Sequence, residues 1–280
     1  MSGTVLVTGG FGLVGSATVR RLTELGRRVI IAELDTRANR KAAKNLPAEV
    51  TVQWANLTDG DHTARVISEA APEAIIHLAA MIPPAIYKNR PLARRINVDA
   101  TATLVGIAEA QPKPPRFVHA SSNAVFGARN PYLATGPVTA DMPMRCSDLY
   151  STHKAEADAI VRASSLEWVV LRLGGVLSVA PNAMPSGRKG NPNNDEDWFV
   201  TDWMDTTRAQ QALGFQHHSW PDMLDEAARQ AGPAKYLLRI AAPLVRAILK
   251  RRSAYWKQPG QYADLWGAIR RKIGDPSPDS

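Results

Sequence analysis

Residues 8–15 read Thr-Gly-Gly-Phe-Gly-Leu-Val-Gly, and this stretch decides the fold of the chain. It follows a short apolar run, residues 4–7, and precedes a helical pattern, so the order is strand, turn, helix. Gly9 permits the tight turn, Gly12 lets a pyrophosphate approach the backbone, and Gly15 lets the helix pack closely on the sheet. The free N–H groups at the start of the helix favour a phosphate there. The stretch therefore predicts a dinucleotide-binding turn.

The composition limits the class of protein. The chain has 280 residues and one cysteine, Cys146, which excludes an intramolecular disulfide framework and indicates a reducing compartment. The first residues enter a strand directly, without a basic region followed by an apolar export segment. No run of about 20 apolar residues is free of charge. We therefore expect a cytoplasmic protein with no transmembrane span.

The positive charge is concentrated at the C-terminal end of the sequence. The formal net charge is +8, and residues 234–280 contain ten basic residues against three acidic ones. This tail therefore carries nearly the whole excess. The high isoelectric point gives no reason to expect that the rest of the chain binds nucleic acid.

The second apolar run, residues 28–32, ends at two acids, Glu33 and Asp35. A carboxylate at this point accepts hydrogen bonds from the adenosine ribose hydroxyls and repels a 2′-phosphate, which favours NAD over NADP. Basic residues follow immediately, so a contact with phosphate stays open; they are Arg37, Arg40 and Lys41.

Tyr150 and Lys154 are four residues apart in a helical pattern, so they share one face of the helix. A free tyrosine has a pKa of about 10, and a nearby ammonium and an oxidised nicotinamide both favour the phenolate. Lowering that pKa by about three units requires roughly 4 kcal/mol of differential stabilisation. This pair is therefore a candidate general acid/base with its activating cation.

The glycine turn, the strand 117–122 that ends in Ser121 and Ser122, and the Tyr150–Lys154 pair occur in one order. In that order they resemble the extended branch of the short-chain dehydrogenase/reductase superfamily, the NAD-dependent epimerases and dehydratases. The resemblance implies an α/β fold with a doubly wound, parallel Rossmann-type sheet, and NAD as cofactor. It implies that Ser122, with Ser121 as runner-up, binds the substrate oxygen, that Tyr150 is the acid/base, and that Lys154 also holds the nicotinamide ribose.

The same resemblance implies a cofactor-binding set along the strand ends. Its members are Gly9, Phe11, Gly12, Leu13, Gly15, Glu33, Asp35, Asn56, Leu57, Leu78, Ala79, Ala80, Asn97, Tyr150 and Lys154. Asn56 stands where relatives have an Asp that touches adenine, and Asn97 matches an Asn that supports the active-site end of a helix predicted from residue 95 to about 110. Asn97 bonding only local backbone is the alternative. We interpret His77 as structural and predict no metal site, because no second ligand has a suitable spacing.

The resemblance breaks after residue 179. Residues 181–197 are rich in Pro, Gly, Asn and charge and predict a loop, and part of the usual substrate-binding segment is missing. The pattern returns at residues 205–215, where Asp205 is a predicted N-cap and Gly214 a predicted C-cap. We therefore expect an NAD-binding Rossmann domain over 1–180 and an abbreviated, mainly helical C-terminal region. That region divides into a shortened substrate-binding part, 181–232, and a basic tail, 233–280.

The predicted function is NAD-dependent hydride transfer at a hydroxyl-bearing carbon of a small molecule, with sugar nucleotides as the family's commonest substrates. An NAD-binding sensor or scaffold with little catalysis is the alternative. Five of the seven tryptophans follow residue 190. They either cover the sheet edge that the missing segment leaves open or form a subunit interface, so a homodimer stays open.

The tail contains an amphipathic helix candidate, residues 236–256, with Pro243 as an expected kink. One interpretation is a membrane-surface anchor that faces anionic lipid. The other is a helix packed on its own domain, with cations that extend to solvent.

Overall fold

Six short strands form one parallel sheet in the computed structural model, which describes residues 3–129, 136–176 and 204–252. The strands are β1 (Thr4–Thr8), β2 (Arg28–Glu33), β3 (Thr51–Trp54), β4 (Ala74–His77), β5 (Arg116–Ser122) and β6 (Trp168–Leu173). Their order is β3-β2-β1-β4-β5-β6. The strand order reverses between β1 and β4, which is where such sheets bind ligands at the carboxyl ends of their strands.

Helices connect the strands and continue beyond them. They are α1 (Leu13–Glu24), α2 (Arg37–Ala43), α3 (Gly60–Ala70), α4 (Ala85–Lys88), α5 (Arg90–Arg94), α6 (Ala100–Glu109), α7 (Leu149–Ala163), α8 (Thr207–Leu213), α9 (Trp220–Ala231) and α10 (Ala234–Arg252). A π-helical turn, Arg95–Asp99, joins α5 to α6, and a 3-10 turn, Asn123–Phe126, follows β5. The helix predicted from residue 95 thus begins as a π turn, a feature that is frequent at functional sites.

Both faces of the sheet are covered, because alternate strand residues are apolar on each side. One core cluster joins Leu6, Ile75 and Phe117 of the strands to side chains of α3, α6 and α7. The other joins Val7 and Ile31 to α1. This is the predicted doubly wound Rossmann-type arrangement, and the fold class is confirmed.

The described residues fall into two compact units. The first comprises 3–125 and 146–176 and contains the whole sheet; the second comprises 126–129, 136–145 and 204–252. The second unit contains α8, α9 and α10, so the C-terminal region is mainly helical, as predicted. The predicted division at residue 180 stays a prediction, because residues 177–203 lie outside the described ranges. Residues 136–145, which we expected in the first domain, group with the second unit.

Local capping in the second unit corrects one detail. Thr206, not Asp205, is the N-cap of α8, although Oδ1 of Asp205 accepts the N–H of Thr207 at 2.9 Å. Gly214 ends the helix with a φ of 54°, the left-handed conformation that glycine adopts most readily.

Candidate active site

The glycine turn leaves its backbone accessible at the start of α1. Gly9 has a φ of 70°, and a Cβ there would lie 2.7 Å from the amide nitrogen of Ala79, so the turn and the exit of β4 touch. A Cβ on Gly15 would collide with the carbonyl oxygen of Gly9. Gly12 is the N-cap of α1, with no side-chain cap and no acid in the first turn of the helix. The helix N-terminus therefore has room and partial positive charge for a pyrophosphate.

The two candidate ribose acids have different surroundings. Glu33 is the last residue of β2; its carboxylate accepts the N–H of Leu34 at 3.1 Å and lies near the backbone N–H of Phe11 in the glycine turn. Its pKa is raised, because partial burial outweighs those bonds. Asp35 is paired with Arg40 at 2.5 and 2.6 Å, which lowers the pKa of the carboxyl. Glu33 thus lies beside the dinucleotide turn, whereas Asp35 is paired with Arg40 of the helix that follows it, α2.

The residues expected to contact the adenine lie at the ends of β1 and β3, together with one aromatic residue that we did not expect there. The rings of Phe11 and Trp54 stack with their centroids 6.2 Å apart, and sequence reasoning did not select Trp54. Oδ1 of Asn56 accepts the N–H of Thr58 at 3.1 Å and its hydroxyl at 2.9 Å. The carbonyl group of Asn56 is therefore used in a local turn, and Leu57 next to it is half-buried.

A basic cleft lies beyond the end of β2. It is lined by Asp35, Arg37, Arg40, Lys41, Lys44 and Trp54. Arg40 is paired with Asp35. The other cations of the cleft, Arg37, Lys41 and Lys44, are exposed, so the predicted contact with a phosphate stays open.

His77 links three elements below the glycine turn. Its Nδ1 lies 2.8 Å from Oγ1 of Thr8, and its Nε2 lies 3.0 Å from Oγ1 of Thr101. Thr101 donates its own hydroxyl to the carbonyl of Asn97, so it accepts from Nε2–H, and the Thr8 hydroxyl donates to Nδ1. Burial, with the charge of Lys154 adding to it, lowers the pKa of His77 to about 3. The ring is thus neutral and bonded on both nitrogens, which supports the interpretation of His77 as structural. In the described part of the chain, no group of three or more His, Cys, Asp or Glu residues is placed to hold a metal ion.

The same network fixes the exit of β4. Oγ1 of Thr8 accepts the N–H groups of Leu78 and Ala79, both at 3.2 Å. Asn97 accepts the N–H of Met81 at 2.7 Å and donates to its carbonyl at 2.9 Å. The side chain of Asn97 is therefore bonded to the backbone of Met81, sixteen residues earlier in the chain, and not only to backbone next to it in sequence. It holds the half-buried segment Leu78–Ala80, next to which the cofactor is expected.

Ser122 and Tyr150 meet at the end of β5. The Ser122 side chain lies next to the Tyr150 hydroxyl, and Ser122 Oγ accepts the N–H of Ala124 at 3.2 Å. Burial raises the pKa of Tyr150, the contact with Ser122 lowers it, and the charge of Asp148 raises it further. Burial is thus the largest effect on the pKa of Tyr150 in the protein alone, and the lowered pKa that we expect with both Lys154 and an oxidised nicotinamide close by stays a prediction.

Lys154 lies one turn along α7 and is buried. Its Nζ donates to the carbonyl of Ala120 at 2.6 Å, which ties α7 to β5. Burial lowers the pKa of this ammonium to about 8, and the charge of Asp158 acts in the opposite direction. Ser121 lies beside Asp158, two turns of α7 beyond Tyr150, and its contact favours the charged form of that carboxyl. Of the two serines, Ser122 is thus the one next to the tyrosine.

Several residues that shape this site were missed from the sequence. Asp148 is the N-cap of α7 and forms a reciprocal capping box with Ser151, while its second oxygen accepts the Tyr87 hydroxyl at 2.7 Å. The Asp-x-x-Ser spacing ahead of the helix is a signal that predicts such a cap. Asp158, fully buried, pairs with Arg172 at 3.2 Å and lies beneath Lys154. No local pattern predicts that pair, because its members lie on a helix and a strand far apart in sequence.

Comparison with known proteins gives a consistent result. The profile described as "NAD dependent epimerase/dehydratase family" matches residues 5–190. The chain is 31% identical over 209 residues to UDP-glucose 4-epimerase of Bacillus subtilis, which covers 68% of this chain and 56% of that protein. It is 32% identical over 199 residues to the 3 beta-hydroxysteroid dehydrogenase/Delta 5-->4-isomerase of Mycobacterium tuberculosis, covering 68% and 48%.

Solved structures match the same part of the chain. The Thermus thermophilus UDP-glucose 4-epimerase complex with NAD aligns with a TM-score of 0.53 at 25% identity, covering 60% of this chain and 54% of that one. The Bordetella bronchiseptica enzyme WbmG, in complex with NAD and UDP, aligns with a TM-score of 0.54 at 20% identity, covering 61% and 53%. The chain spans about half the length of the curated relatives it matches.

Proposed function

The chain belongs to the NAD-dependent epimerase/dehydratase family, and we propose that it catalyses hydride transfer at a hydroxyl-bearing carbon of a small-molecule substrate. The observation that carries the proposal is the proximity of the Ser122 and Tyr150 side chains, with Lys154 one turn further along α7. A protein that only binds a dinucleotide has no need of this group.

The family's cofactor is NAD, and the residues present fit it. The uncapped start of α1 and the glycine turn, where a Cβ would fill the space, suit the pyrophosphate. Glu33 suits the adenosine ribose hydroxyls, and Lys154 suits the nicotinamide ribose. When bound, NAD supplies the hydride acceptor; the protein supplies position and proton transfer.

Tyr150 takes the proton from the substrate hydroxyl in this proposal, and Ser122 hydrogen-bonds the same oxygen. Because burial raises the pKa of Tyr150, the tyrosine needs cations nearby to act as a base at neutral pH. Lys154 is the cation that this chain offers on the same helix face, and the buried Asp158 favours its charged form. The two residues together make proton transfer at the end of β5 feasible.

For the substrate we propose a sugar nucleotide, on the strength of the UDP-glucose 4-epimerases among the relatives. The hydroxysteroid dehydrogenase relative makes a steroid alcohol the second candidate. A second copy of the chain and a membrane surface stay predicted partners, and a cytoplasmic location stays a prediction. None of the described helices is long and apolar enough to cross a membrane.

The experiment compares Ser122→Ala with Ser121→Ala in the full chain. Purified protein is incubated with NAD and UDP-glucose or a hydroxysteroid, and the products are separated by chromatography. Loss of the Ser122 hydroxyl should lower turnover by about 100-fold or more, as for other oxyanion donors, and loss of the Ser121 hydroxyl by much less. NAD binding in calorimetry without turnover of any substrate would favour the sensor or scaffold. Equal losses in both variants would contradict the assignment of Ser122.

A further inference from the structure

Helix α10 has an unusual charge distribution. Its 19 residues contain six cations, Lys235, Arg239, Arg246, Lys250, Arg251 and Arg252, and no acid. The helix continues through Pro243. The last residues of the predicted helix, 253–256, lie outside the described ranges. The helix therefore attracts a negatively charged partner and repels a positively charged one.

Large apolar side chains of α10 are open to solvent. Six of them are between 42% and 80% exposed, namely Tyr236, Leu237, Ile240, Leu244, Val245 and Ile248. Among the side chains that the structure describes in this helix, those of the small residues Ala241 and Ala242 are partly buried. The six large apolar side chains are thus open to solvent, and packing of the helix on the protein's own body stays the alternative interpretation.

The exposed apolar residues and four of the six cations occupy different sides of the helix. The other two cations, Arg251 and Arg252, end the helix on the apolar side. At about 100° per residue, the exposed apolar positions from Tyr236 to Ile248 cover one broad side. The positions of Lys235, Arg239, Arg246 and Lys250 fall within a sector of about 60° on the other side. Such a helix, apolar on one side and cationic on the other, is the kind that lies in the plane of a membrane interface.

We propose that α10 docks the protein on the surface of an anionic phospholipid bilayer. The apolar side chains enter the boundary between headgroups and acyl chains, and the cations contact the lipid phosphates. A second copy of this chain is a poorer occupant, because a symmetric contact brings six like charges toward another six and leaves them unneutralised. The exposed Tyr236 is consistent with an interface, where amphipathic rings are favoured.

The test is sedimentation of the full chain with vesicles of phosphatidylcholine, with or without phosphatidylglycerol, at low and high salt. We expect binding to the vesicles with phosphatidylglycerol, weakened by salt. Lys235→Gln with Arg246→Gln should lower the partition constant about 25-fold, which is about fivefold, or 1 kcal/mol, for each cation. Leu237→Ser with Leu244→Ser should lower it at least tenfold.

A matched control removes the same two charge types elsewhere. Arg65→Gln with Lys113→Gln changes two exposed cations in the first unit and should leave vesicle binding within twofold. Circular dichroism and NAD binding verify that every variant is folded. An equal loss in this control would overturn the proposal, as would absence of binding to the anionic vesicles. A concentration-dependent dimer that the Leu→Ser variant abolishes, without vesicle binding, would assign the face to a second copy and also overturn it. The readout is independent of catalysis, so it does not depend on the proposed function.

Discussion

Mild acid should destabilise this protein through two buried histidines, and His77 allows the effect to be measured. His77 is 2% exposed and bonded on both ring nitrogens, and burial lowers its pKa to about 3. His119 stacks on it with centroids 5.6 Å apart, and burial, with the charge of Lys154 adding to it, lowers the pKa of His119 to about 2. Protonation of Nδ1 in His77 would also break the bond that the Thr8 hydroxyl donates.

The sign and size follow from proton linkage. An unfolded histidine takes up a proton near pH 6.5, whereas these two stay neutral in the fold until about pH 3 or below. Acidification therefore favours the unfolded state, and the stability present above pH 6.5 is lost as the pH falls. Between pH 7.5 and 5 each histidine accounts for about 2 kcal/mol, at about 1.4 kcal/mol per pH unit below 6.5. Two of them remove about 4 kcal/mol, a large part of a typical stability of 5–15 kcal/mol.

The assay is urea unfolding of the full chain at a series of pH values from about 7.5 to 5, compared with His77→Gln. The variant loses buried hydrogen bonds and starts less stable, so the slope of stability against pH is the readout. We expect the slope in His77→Gln to be about half that of the unmodified chain. The exposed His217 supplies the control, since His217→Gln should leave the slope unchanged. A flat profile for the unmodified chain, or the same slope in His77→Gln, would refute the reasoning.

Three further predictions concern the cofactor and the chemistry. Calorimetric titration should show tighter binding of NAD than of NADP, and tighter binding of NADP would contradict the role of Glu33. Glu33→Ala should weaken NAD binding about tenfold or more, because a charge-assisted hydrogen bond to the ribose is lost. Gly15→Ala should lower NAD affinity at least tenfold in the same titration, because the added Cβ collides with the carbonyl of Gly9. The control is Gly106→Ala in α6, which adds a Cβ in open space and should leave the affinity unchanged. Tyr150→Phe should abolish turnover in the chromatographic assay and keep NAD affinity within a few-fold, since the hydroxyl serves proton transfer; near-normal turnover would disprove the mechanism.

The fold class, the family and the NAD cofactor could be predicted from the sequence because their signals are local. The turn at Gly9 needs a positive φ, and the close packing of Gly15 needs the absence of a side chain, so the residue types themselves mark the geometry. Apolar runs of four to six residues between helical patterns mark a parallel sheet with helices on both faces. The Tyr150–Lys154 spacing likewise follows from one turn of helix.

What only the tertiary structure decided concerns pairs of candidates that are neighbours in sequence. Glu33 and Asp35 are two residues apart, and the distinction came from the N–H of Phe11 on one side and Arg40 on the other. Ser121 and Ser122 are neighbours at the end of β5, and the packing of α7 on that strand places Ser122 beside Tyr150 and Ser121 beside Asp158.

The pKa values and hydrogen-bond partners of the site residues could not be predicted from the sequence either. The spacing of Tyr150 and Lys154 predicts a lowered tyrosine pKa once an oxidised nicotinamide is also close. In the protein alone the pKa is raised, because burial penalises the phenolate more than the contact with Ser122 favours it. The link from Thr8 through His77 to Thr101 joins three elements up to 93 residues apart. A sequence pattern records which groups are present and how the chain turns locally. Burial and long-range contacts depend on how the elements pack, and those set the protonation state and the partner of each group.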